Sequence, residues 1–95
     1  MSDRIRIRLF GQHLAYISED LYSKFLRECS ILDYSVWVKE LAYKEYKIKL
    51  KDEDTINILK DKVVANDYED IGDWLREKMR KAMKKARNLK EKQSK

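Results

Sequence analysis

Ninety-five residues, 43% hydrophobic and 41% charged, suffice for one compact domain with a modest core. No apolar run approaches the roughly 18–20 residues of a membrane span, and one cysteine (Cys29) with one histidine (His13) cannot build a zinc site within a single chain. Proline is absent and Gly11 and Gly72 stand far apart, which excludes glycine-rich phosphate loops and favours helices with short connections.

The net charge of +5 is unevenly spread. Residues 76–95 carry ten Lys/Arg against two Asp/Glu, whereas residues 52–73 carry eight Asp/Glu against Lys60 and Lys62. A uniformly basic, disordered arm does not look like this. The N-terminus lacks an apolar signal core, and the lone cysteine suits a reducing compartment, so a cytoplasmic location is expected.

Taken in chain order, Arg4–Leu9 alternates basic and apolar residues without a break, and Lys47–Lys51 does the same. Period two predicts strands with one face buried. Ile5, Ile7, Leu9, Ile48 and Leu50 would face a core, while Arg4, Arg6, Arg8, Lys47, Lys49 and Lys51 project from the opposite side. Two such strands side by side make a ribbon whose outer face is wholly cationic, a shape that fits the major groove of B-DNA. The intervening Gly11–Ile17 allows a second arrangement, in which His13–Ile17 forms a hairpin with Arg4–Phe10 across Gly11-Gln12.

A helical pattern follows each basic stretch. Ser18 and Asp52 are N-cap residues, with acids in the first turn of each helix (Glu19, Asp20; Glu53, Asp54). Leu21, Phe25 and Cys29 recur on one face of the first helix, and Ile56, Leu59 and Val63 on one face of its counterpart. After a polar break a second helix opens in each half, with Trp37-Val38-Lys39-Glu40-Leu41 echoed by Trp74-Leu75-Arg76-Glu77-Lys78. The last helix buries Met79, Ala82, Met83, Ala86 and Leu89, runs to about residue 90 and frays over residues 91–95. The pattern predicts a mainly α fold built from strand–helix–helix twice, as residues 4–45 (with a possible hairpin insertion at 11–17) and 46–90. The two strands would pair antiparallel over four helices.

In Lys47–Lys51, Glu53–Val64 and Ile71–Ala86 the chain resembles the ribbon–helix–helix family of DNA-binding proteins, in a tandem single-chain form. The resemblance implies that alternate ribbon residues read base edges, here Arg6 and Lys49 with Arg4, Arg8, Lys47 and Lys51 beside them. It also implies that second-helix N-termini at Ser35 and at Ile71–Gly72 hold phosphates, although Glu69, Asp70 and Asp73 would repel a phosphate at the latter. The cationic last helix, through Lys84, Lys85 and Arg87, would add backbone contacts.

Trp37, Trp74, Met79 and Met83 read as core, Cys29 as a buried thiol, and no clustered acid–base constellation suggests an enzyme. The expected partners are double-stranded DNA and further copies of the chain, without cofactor, membrane or small-molecule substrate. The function expected is sequence-specific transcription regulation. A non-specific packaging protein and a protein-binding antitoxin or inhibitor are the alternatives.

Overall fold

The computed structural model describes residues 3–93, with side chains through residue 89. Two strands, β1 (Arg4–Leu9) and β2 (Gln12–Ser18), precede four helices: α1 (Glu19–Glu28), α2 (Tyr34–Tyr46), α3 (Glu53–Ala65) and α4 (Ile71–Gln93).

β1 and β2 form an antiparallel hairpin, with Arg4 opposite Ser18, Arg6 opposite Tyr16 and Leu9 opposite Gln12. Phe10 and Gly11 both take positive φ (53° and 75°), the signature of a two-residue type I′ turn. Between Ile7 and Arg8 the register slips, so Leu14 is an extra residue in β2. This bulge lets both Leu14 and Ala15 face inward, beside Ile7, Leu9 and Ile17.

The tandem arrangement is not what forms. One two-stranded sheet stands ahead of four helices, and Lys47–Lys51 is not a strand. Its alternation still describes its burial: Ile48 and Leu50 are inside and Lys47, Lys49 and Lys51 outside. Two causes keep it from pairing. Lys47 turns left-handed (φ 59°) to cap α2 and Asp52 caps α3, which leaves only a short extended connector. β1 also finds a partner two residues away, and closing that loop costs less entropy than reaching a segment nearly forty residues on.

The helix boundaries follow local chemistry. Ser18 Oγ accepts the Leu21 N–H at the start of α1, and Asp52 and Thr55 exchange side-chain-to-backbone bonds in a capping box on α3. α1 and α3 end alike, with Ile31 N–H reaching Leu26 O and Tyr68 N–H reaching Val63 O around the left-handed residues Ser30 and Asp67. This is the Schellman closure, which glycine usually serves. Ser30→Gly should therefore raise stability by about 0.5–1 kcal/mol, because glycine holds positive φ without the Cβ penalty. A thermal melt that fell instead would contradict this account of the α1 terminus.

The core runs from Ile17 and Phe25 through Val38, Ile56 and Leu59 to Trp74, Leu75 and Met79, all fully buried. Tyr22, Phe25, Tyr34 and Trp37 make an aromatic cluster between α1 and α2, and the Tyr34 hydroxyl donates to Met79 Sδ at 3.3 Å. Burial pushes the Tyr34 hydroxyl pKa well above its ordinary value. Ahead of α4, the Tyr68 hydroxyl bonds the Glu77 carboxylate, an interaction that pushes Tyr68 up to about 12 and holds Glu77 below its usual range. Beyond Met83 the apolar stripe of α4 leaves the core: Leu89 is exposed and the helix continues to Gln93. The expected fraying over 91–95 falls partly on residues 94 and 95, outside the described residues. No described helix is long and apolar enough to cross a membrane.

Candidate nucleic-acid interface

Alternation along β1 does two things together. It sends Ile7 and Leu9 into the core and sets Arg4, Arg6 and Arg8 on the opposite, exposed face. Alternate residues of a strand lie roughly 6.6–6.8 Å apart, close to two steps of a DNA strand at about 3.4 Å each. Across the ribbon from the arginines stand Ser18, Tyr16 and His13, so no carboxylate opposes any of them. Arg4 rests 5.5 Å from the centre of the Tyr16 ring, and Arg8 Nη2 donates to Gly11 O at 3.4 Å. None of the ion pairs between described residues uses these three guanidiniums. The outer edge of β2 is held from behind: Arg76 Nη1 donates to Tyr16 O and Lys60 Nζ to His13 O.

Beside Arg6 and Arg8 lies the N-terminus of α2, across a shallow groove that also includes Tyr22 and the exposed Leu32. Asp33 caps this helix, accepting the Ser35 N–H at 3.0 Å and the Ser35 hydroxyl at 2.6 Å. The Ser35 hydroxyl is the main cause that holds Asp33 below the ordinary carboxylate range. Ser35, expected to contact phosphate, already donates to an anion supplied by the chain itself.

The second expected phosphate site is closed by packing. Ile71 and Gly72 are buried, and a Cβ on Gly72 would stand 3.0 Å from the Ala15 Cβ of β2. Gly72 thus permits α4 to approach the hairpin rather than a ligand to approach α4. Asp70 Oδ1 accepts the Asp73 N–H and Asp73 Oδ2 the Glu69 N–H, so this helix start is also capped by its own carboxylates.

Lys47, Lys49 and Lys51 are exposed but do not join the ribbon, because the segment that carries them pairs with neither strand. On α4, Arg87 grips Glu28 through two bonds (2.8 and 3.2 Å) and fastens α4 to α1. Lys84 and Lys85 are exposed, and Lys85 borders a groove over Trp37, Leu41 and Ala82. Among the described residues no group of His, Cys, Asp and Glu is placed to hold a metal ion.

The structure also brings forward residues that sequence reasoning passed over. Phe10 sits exposed at the hairpin tip with Lys39 Nζ 5.1 Å from its ring centre, and Tyr43 carries Lys47 Nζ at 5.4 Å. An aromatic residue immediately before Gly11 in a two-residue turn was the available signal for the first. The second follows from the four-residue spacing of Tyr43 on α2 and Lys47 at its C-cap. Compared with known proteins, the chain matches no family model, no curated protein and no solved structure.

Proposed function

We propose that this protein binds double-stranded DNA through the outer face of the β1–β2 hairpin and regulates transcription by occupying its site. One observation carries this reading: three exposed arginines at two-residue spacing on a two-stranded ribbon, with no carboxylate across the ribbon from them. A two-stranded ribbon fits the major groove, and arginine is the side chain best suited to guanine O6 and N7. Because all three arginines lie on β1 and the β2 side offers Ser18, Tyr16 and His13, the recognised sequence should be asymmetric. The exposed lysines Lys84 and Lys85 on α4 would add sequence-independent attraction to phosphates.

The test is selection of duplex sites from a random library at about 150 mM salt, followed by comparison of the selected site with scrambled DNA. A specific binder gains a factor of about 10³ or more on its own site. Equal affinity for both would replace regulation with packaging. No binding to either would remove the reading altogether.

A further inference from the structure

The exposed surface does not end at the arginines. At the hairpin tip Phe10 occupies the first position of a type I′ turn, where Asn, Asp or Gly normally stands because φ must be positive. A bulky residue held there is strained. Its ring is not repaid by burial, for Phe10 is 42% exposed. Tyr43 on α2 is 54% exposed and likewise fills no part of the core. Each ring has an ammonium over it, Lys39 on Phe10 and Lys47 on Tyr43. Lys39, Tyr43 and Lys49 then line a single groove over Leu50, with Glu40 as the one acidic wall among the described residues. Lys39 therefore joins the two rings into one track of alternating aromatic faces and cations.

We propose that this track is a binding site for unpaired nucleotides. Bases stack on Phe10 and Tyr43, and Lys39, Lys47 and Lys49 hold the phosphates between them. The chemistry favours this ligand over duplex DNA, whose base faces are hidden in the stack. It favours it over an acidic peptide too, which would pair with the lysines but leave the two rings without a planar partner. In the free protein Lys39 shields the Phe10 ring and Lys47 the Tyr43 ring. On binding each moves to a phosphate, and the base takes its place, a favourable exchange because a base stack outweighs an exposed cation–π contact. The track adjoins the arginine face but uses none of its residues, so it stands or falls separately from the duplex reading.

The test measures fluorescence anisotropy of three labelled probes, dT15, U15 and a 20-base-pair blunt duplex, in about 100 mM salt. The key variant is Phe10→Asn with Tyr43→Ala, since asparagine suits the turn and leaves the fold at least as stable. Both single-stranded affinities should drop about thirtyfold or more, the loss of two stacks, with duplex affinity unchanged. Tyr43→Trp should retain binding in the presence of Phe10. A stronger response with U15 assigns the site to RNA, and one with dT15 to single-stranded DNA. Undiminished binding of both oligonucleotides by the double variant, or none by the native protein, overturns the proposal. Duplex binding without oligonucleotide binding would sink the track alone, and oligonucleotide binding with no binding of either the selected or a scrambled duplex would sink the arginine reading alone.

Discussion

Replacing Arg4, Arg6 and Arg8 together by glutamine should reduce affinity for a selected duplex by at least about a hundredfold. Each bidentate contact to a base edge is worth about 1–3 kcal/mol, and every 1.4 kcal/mol is a factor of about ten. The dependence of affinity on salt should flatten as well, by a slope of about 0.9 for each phosphate that is no longer neutralised. The fold should scarcely notice. All three side chains are exposed, none joins an ion pair between described residues, and only Arg4 makes a ring contact, with Tyr16. Surface changes of this kind stay within about 0.5 kcal/mol. The informative partner is the triple lysine variant, which keeps the charge but not the planar fork. If the arginines read bases, the lysine variant keeps its general affinity for DNA and loses its preference for the selected site. If they supply charge alone, it behaves like the native protein. Unchanged binding by the glutamine variant would remove the hairpin from the interface.

The arginine face was legible because burial alone imposes period two: with Ile7 and Leu9 inside, Arg6 and Arg8 must be outside. The same rule misled at Lys47–Lys51. There the alternation is real, but it records a connector lying across the core, and alternation says nothing about whether a backbone has a hydrogen-bonding partner. The hairpin partner was readable as His13–Ile17, but the turn was placed one residue late because phenylalanine rarely takes positive φ; it centres on Phe10-Gly11. Leu14 and Ala15, adjacent and both buried, break the alternation that period-two reasoning needs. Caps at Ser18 and Asp52 were plain, since a side-chain oxygen before a run of helix formers acts within one turn of itself. What surrounds the two expected phosphate positions is partly local and partly tertiary. Nothing local reveals that Gly72 meets Ala15 of a distant strand or that the start of α2 lies beside β1, whereas the Asp33 cap on Ser35 acts across two residues and was a local signal passed over. The contact between Phe10 and Lys39 is likewise a product of docking the hairpin against α2.

Trp74→Ala should be the most damaging single change in the protein, and the reason lies in what α4 does. This helix packs against β2, α1 and α3, and so ties the arginine-bearing hairpin to the helices. Trp74 is fully buried near its start, two residues beyond Gly72, whose contact with Ala15 fixes how closely the helix approaches the strand. The Tyr46 ring lies 5.8 Å from the Trp74 ring, which extends the contact towards the end of α2. Truncation to alanine removes the transfer free energy of the indole and leaves a cavity that close neighbours cannot fill, a cost of about 3–5 kcal/mol. Total stability for a domain is about 5–15 kcal/mol, so the variant should melt on the order of 20 °C lower, or fail to fold. DNA affinity should follow stability, recovering in conditions that favour the folded state. Trp74→Phe separates packing from polarity. The indole N–H has no hydrogen-bond partner among the described residues, so losing it removes a buried unsatisfied donor, which offsets part of the lost volume. Phenylalanine should therefore retain most of the stability that alanine forfeits. If phenylalanine proved as harmful as alanine, the indole N–H would have to be making a bond that holds α4 in place, and packing would not be the main cause.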